Sequence, residues 1–463
     1  MQKKLLTLAV AGALAAPGLA LAQASVEVYG TLYPTFGHVK YGEGFTARDI
    51  SAATGLPNAA ALPVPSISKF DVQAPASNFG VRGRESVGGG LTAWFQIEQN
   101  APLEREATQA VTVASRNSAG GIQGAFGNVF VGQWTTPWAD LDSLWAVGQV
   151  SVFGPVTSII GRRETTGTAP NPAAALPGNP NRPCTTNLIP PGGSVVPAAA
   201  TPECDAVVTT GGVGHPFWRR ASDMIRYSSP TFGGATFDLM YQVPELKTVA
   251  ITSPTAGQST LSAEPSMWSG SVKWTGMGGR ARAGFAYDRH KDFTSIGSTD
   301  TGLAVKGGWN FGVVDVGVAY ERIKYKCAPF NSTAATGVVA AGATNAADLP
   351  ALCGTAGDVN AKQYAAGISV PVGMGAIKAF YAKAKDMDGA IAFSQTGAKE
   401  WGVGYEHRFS KRTSLGAQYT KITNNRNAQF TWTGMPPSQT GASNTPFFGS
   451  SVTWIFAGMT HRF

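Results

Sequence analysis

The side chains able to do chemistry in this 463-residue chain are sparse and poorly arranged for catalysis. Five histidines, His38, His215, His290, His407 and His461, stand at no motif spacing from an acid or a nucleophile. The sequence has no Gly-x-Ser-x-Gly elbow, no phosphate-cradling glycine loop and no His-Glu-x-x-His pair. An enzyme is therefore not expected, nor a cofactor or a metal. Asp140 and Asp142 could in principle do acid–base work, but on a wet loop such a pair more readily shapes an electric field. Four arginines form the other group. Arg82, Arg84, Arg116 and Arg226 alternate with Phe79, Val81, Asn117, Ala119, Ile225 and Tyr227, so a period of two puts the guanidinium groups on one polar face. Facing Asp140 and Asp142 across a gap, they would set up a transverse field. The plainer alternative is that each is a wall residue neutralised by a carboxylate such as Glu85 or Glu98. Lys273, Arg282 and Lys306 share this polar parity and are expected away from the narrowest point.

Holding such groups in one plane requires strands. Alternating segments begin at 26–39, 78–85, 91–99, 116–123, 129–135, 224–229, 236–243 and 267–275. Eight more follow at 280–288, 303–310, 314–324, 363–370, 376–384, 400–408, 414–423 and 448–463. Phe237, Leu239, Tyr241 and Val243 alternate with Thr236, Asp238, Met240 and Gln242, and Trp401, Val403 and Tyr405 alternate with Glu400, Gly402 and Glu406. One face is apolar and aromatic, the other small or charged. The connections alternate too, tight ones such as Val87-Gly88-Gly89-Gly90 and Gly276-Met277-Gly278-Gly279 against much longer polar ones. Sixteen strands closed into a ring are too wide for side chains to fill, so the polar face should line water and the apolar face meet lipid. The expected fold is all-β, a transmembrane antiparallel β-barrel of 16 strands.

Both ends of the chain agree with this. Lys3 and Lys4, an apolar run from Leu5 to Ala16 and Ala22-Gln23-Ala24 read as a signal peptide over residues 1–24, leaving 25–463 as the mature barrel. No run reaches the ~18 apolar residues of a membrane helix. At the other end Thr453, Ile455, Ala457, Met459 and Phe463 share a parity that suits lipid, broken only by His461. With 57 Gly, 23 Phe, 11 Trp and 12 Tyr but only 14% charged residues, the composition fits a large β protein rather than a disordered chain. The formal charge is +8, or +6 without Lys3 and Lys4, and no basic stripe suggests nucleic acid. An exported chain meets an oxidising compartment, so the four cysteines are candidates for disulfides. Three pairings are formally possible. The local pairs Cys184–Cys204 and Cys327–Cys353 are expected, each stapling a loop rich in small residues and worth roughly 3 kcal/mol.

Several stretches in this order resemble the general porins of Gram-negative bacteria, the β-proteobacterial branch above all. They are VEVYGTLY (26–33), NFGVRGRESV (78–87), GLTAWFQIE (90–98), RNSAGGIQGAFGNVFVGQ (116–133), IRYSSPTFG (225–233) and the closing His461-Arg462-Phe463. The resemblance implies an outer-membrane homotrimer forming a water-filled channel for small hydrophilic solutes and ions. It also implies a third external loop folded into the lumen and a terminal Phe463 read by the barrel-assembly machinery, with membrane lipid and lipopolysaccharide around the wall. Asp140 and Asp142 match the family's constriction segment in position, within 137–155, although the motif is degenerate. The charge pattern leads to an expected mild anion preference. The third loop, 137–223, departs from the family pattern by its length. Residues 165–214 form a Pro-, Gly-, Ala- and Thr-rich insertion that caps the mouth, plugs the lumen or stays unstructured. A capped or plugged barrel, acting as a solute-specific channel or as an adhesin or structural protein, is the alternative reading.

Overall fold

Alternation with a period of two lets a strand bury one row of side chains and expose the next, and nearly every alternating segment of this chain does so. The computed structural model describes residues 25–46, 49, 61–74, 77–101, 103, 113–151, 158–160, 217–243, 248–250, 261–263, 266–291, 299–327, 357–389, 394–432 and 446–463. The expected signal peptide and the 165–214 insertion lie outside the described residues.

The main sheet contains 19 segments, which join end to end into sixteen antiparallel strands. We number them β1 (Ser25–Leu32 and Thr35–Tyr41), β2 (Ile67–Gln73 and Asn78–Gly88), β3 (Leu91–Asn100), β4 (Ser118–Gly124), β5 (Gly127–Thr135) and β6 (Arg220–Ser228). Next come β7 (Ala235–Gln242), β8 (Ser266–Gly276), β9 (Ala281–Lys291), β10 (Thr299–Asn310) and β11 (Asp315–Cys327). The last five are β12 (Gly357–Val372), β13 (Gly375–Ala384 and Asp388–Gly389), β14 (Ala398–Arg408), β15 (Thr413–Asn424) and β16 (Ser451–Arg462). Each strand pairs with its sequence neighbour, and β1 pairs with both β2 and β16, so the ring closes. Closure removes the free sheet edges that a bilayer would leave unsatisfied.

Several boundaries differ from the sequence reading; β10 starts at Thr299 rather than 303 and β12 at Gly357 rather than 363. The second strand starts at Ile67 rather than Asn78, since it runs in two segments, Ile67–Gln73 and Asn78–Gly88, of which the sequence reading took only the later one. The sixth starts at Arg220 rather than Met224, where a register shift between Ala221 and Met224 breaks the alternation. Tight turns occupy one rim. At the turn joining β2 to β3, Gly88, Gly89 and Gly90 all take positive φ (88°, 61° and 76°), which a side chain would resist.

Exposure decides which face points where. Phe237 and Leu239 are 44% and 47% exposed, whereas Asp238 and Met240 beside them are 5% and 0%. The apolar rows thus form the outer surface and the polar rows the lumen. The densest packing also lies inside the ring. Trp138, Leu141, Leu144 and Phe217 from the third loop pack on Ala286, Ala304 and Ile323 of the inner wall. Each large apolar side chain buried in this way contributes roughly 1.5–3 kcal/mol, so this part of the loop is a fixed lining rather than a flap.

Candidate functional site: a lumen lined by two inward loops

The third loop enters the barrel through a capped turn. Thr136 accepts a hydrogen bond from the Ala139 amide at 3.3 Å, and Pro137 opens a short helix, α1 (Pro137–Asp140), where its missing N–H does no harm. Two 3-10 turns, Leu141–Leu144 and Ala146–Gly148, carry the chain on along the inner wall. The wall makes room with small residues. A Cβ on Gly317 would lie 2.0 Å from the Trp145 carbonyl oxygen, so only glycine permits this approach.

Charges then fix the loop. Asp140 pairs with Arg226 at 2.6 Å, and Arg226 also holds Asp238 of β7 at 2.7 Å. Asp142 is buried and accepts from Lys306 at 2.5 Å, from Trp218 Nε1 at 2.5 Å and from Trp145 Nε1 at 3.2 Å. Lys306 also reaches Glu321 at 2.6 Å, and Glu321 accepts from Trp138 Nε1 at 3.1 Å. Burial pushes the Asp142 carboxyl up while the Lys306 ammonium pulls it back. Further along, Arg282 Nε donates to the Leu144 carbonyl at 2.7 Å, and Glu406 accepts from both the amide and the hydroxyl of Ser151. Lys306 and Arg282 therefore hold the third loop directly. Parity showed that they point inward, but it carries no information on what they meet.

The six residues singled out for the constriction fall into three settings. Arg226 and Asp140 are brought together in an ion pair instead of facing one another across a gap, because α1 stays beside the wall it came from. Asp142 lies beneath the loop, 3% exposed, rather than on the open lumen. The other arginines are on the wall of β1 to β4. Arg82 pairs with Glu27 at 2.9 Å and lies 4.7 Å over the Tyr29 ring, and Arg116 pairs with Glu98 at 2.5 Å. Arg84 is exposed beside Ser25 and Trp94, with no ion pair among the described residues. The sequence reading missed Arg220, whose Nε donates to Asn117 Oδ1 at 3.0 Å; the irregular start of β6 hid its parity.

The eighth loop also turns inward, which the sequence reading did not anticipate. The Phe430 amide donates to Asn424 Oδ1 at 2.7 Å, and Asn424 Nδ2 donates to the Phe430 and Ser450 carbonyls at 3.0 and 2.8 Å. This folds Ala428, Phe430 and Trp432 onto Val452, Trp454 and Phe456 of the inner wall. The only advance signal was an apolar Phe430 and Trp432 in a loop that water should otherwise surround.

The disulfide expectation is corrected: no disulfide bond is present among the described residues. Cys184, Cys204 and Cys353 lie outside them, while Cys327 ends β11. Local spacing favours a cross-link only where the fold also brings two sulfurs within bonding reach. Among the described residues no group of His, Cys, Asp and Glu is placed to hold a metal, and no helix is long and apolar enough to cross a membrane, which says nothing against crossing by strands.

A closed ring of sixteen antiparallel strands, apolar outside and charged within, defines a membrane channel. The family model described as Gram-negative porin matches residues 7–427, and the chain belongs to that family. It is a porin of the Gram-negative outer membrane, a channel rather than an enzyme. It is 24% identical over 469 residues to outer membrane porin protein 32 of Delftia acidovorans, covering all of both chains. Among solved structures it resembles the anion-selective porin from Comamonas acidovorans, with 20% identity, 95% of this chain and 100% of that one covered, and a TM-score of 0.59. The in-vitro folded trimer form of Vibrio cholerae OmpT shares the fold at 12% identity, 95% and 99% coverage and a TM-score of 0.50.

Proposed function

We propose that this porin conducts small hydrophilic solutes and ions passively with a mild preference for anions. The observation that carries this reading is an imbalance of charge. Both loop acids, Asp140 and Asp142, are neutralised by Arg226 and Lys306, while Arg84 and Arg220 have no ion pair among the described residues. Unpaired positive charge on a lumen wall raises the local concentration of anions. The similar Comamonas acidovorans protein, itself described as an anion-selective porin, accords with the same sign. Arg82, Arg84, Arg116 and Arg226 with Asp140 and Asp142 form the proposed constriction, joined by Arg220. The proposed working unit is a homotrimer in lipid and lipopolysaccharide, exported by residues 1–24 and assembled through a signal that includes Phe463, with 137–219 as its third external loop.

The test is a planar bilayer under a salt gradient. The reversal potential should indicate anion preference and shrink toward zero as salt screens the wall. Replacing Arg84 and Arg220 together with glutamine should move it toward cations. A cation-selective unaltered channel, or indifference to the double replacement, would defeat the proposal. Two inward loops favour a narrow conduit, and a folded protein with no conductance at all would support the plugged or adhesin reading instead.

A further inference from the structure

One carboxylate on the inner wall holds two loops that the sequence separates widely. Glu400 of β14 is fully buried. Its Oε2 accepts from the Ser158 hydroxyl at 2.9 Å and from the Ile159 amide at 2.7 Å, both in the third loop. Its Oε1 accepts from Trp432 Nε1 at 2.6 Å, in the eighth. Around these contacts Ile159, Ile160, Phe430, Trp432 and Trp454 belong to one apolar cluster that also contains Ala398 and Ile422. We propose that Glu400 is a positioning residue that couples the third and eighth loops, so that the two together set the aperture of the channel.

The chemistry of the acceptor makes the coupling specific. An ionised carboxylate has two oxygens and room for about four hydrogen bonds, and at least three donors from two segments converge on this one. A glutamine of the same length has one acceptor oxygen, and its amide would aim a donor at another donor. Glu400→Gln must therefore release one arm while leaving the volume of the site unchanged. Glu406, by contrast, holds the third loop at Ser151 and touches no described residue of the eighth. It serves as a comparison that loosens one loop alone. The proposal rests on the porin reading but not on the sign of its selectivity.

The experiment is single-channel recording on refolded Glu400→Gln, Trp432→Phe, Ser158→Ala and Glu406→Gln, with permeation of sugars of graded size into proteoliposomes. Trp432→Phe keeps an aromatic ring but loses the N–H and part of the indole, so Ser158→Ala, which removes only a hydroxyl, is the variant that preserves packing if Glu400→Gln proves hard to fold. Glu400→Gln and Trp432→Phe should each raise open-channel noise and admit larger sugars. Because both break the same bond, the pair should behave as Glu400→Gln alone. Ser158→Ala, on the arm that the glutamine oxygen keeps, should add to Glu400→Gln, and Glu406→Gln combined with Trp432→Phe should likewise be additive. Additive effects of Glu400→Gln and Trp432→Phe, or unchanged noise and size limit in both, would overturn the coupling. Reversal potentials taken in the same recordings separate this outcome from a failure of the anion reading.

Discussion

Lys306 is 1% exposed and sits between two carboxylates, Asp142 of the third loop and Glu321 of β11. A cation in that position is tolerated only because both anions neutralise it, and each anion needs it in return. Lys306→Met should leave Asp142 and Glu321 buried without their cation and cost about 3–5 kcal/mol. The readout is the temperature at which the folded protein loses its heat-resistant electrophoretic form. An unchanged midpoint would mean that water already reaches the cluster. Alternation in the sequence correctly placed Lys306, Arg282 and Arg226 on the inner face. It could not say that they would meet a loop, because parity records the direction of a side chain and nothing about what lies 3 Å beyond it.

Sixteen strands were legible because each repeats a signal over six or more residues, which a barrel wall requires. The two inward loops were not, since Trp138, Trp145, Phe430 and Trp432 follow no period and gain meaning only from the wall they cover. What the sequence does hold is the other half of that contact, the small residues of the polar rows. Gly317 permits the Trp145 backbone to come close, and Gly284 similarly faces Leu141 and Leu144. Gly317→Val should displace Ala146–Gly148 from the wall and raise conductance and the limiting solute size while the barrel still forms. Conductance equal to that of the unaltered protein would show that the loop can shift without changing the opening. Glycine on a strand is easily taken for a bend or a bulge, and here its role is to make room.

At the scale of the whole ring, Phe463 extends the seam between β1 and β16. Phe463 and Gly30 exchange backbone hydrogen bonds at 3.1 and 3.2 Å, and the Phe463 ring lies so close that a Cβ on Gly30 would meet it at 2.6 Å. Removing Phe463 should therefore lower the yield of heat-resistant protein, as should Gly30→Val, which blocks the seat of the ring. Unaltered yield for both would leave the seam to its remaining backbone pairs. The terminal alternation had already suggested a closing strand, although His461 looked like a flaw in it. His461 Nδ1 lies 3.0 Å from the Thr413 hydroxyl near the rim of short turns, where a polar pair is acceptable.

The two loops cover the inner wall unevenly. From β8 to β15 it is largely upholstered, whereas Glu27, Arg82 and Arg84 on β1 and β2 remain exposed. If the described residues bound the conduit, current should run off the barrel axis, along an eccentric path against that arc of the wall. That arc begins at the strand that makes the seam, so a flaw in closure should register directly in the current, whereas a change on the far arc should register only where it displaces the loops that cover it.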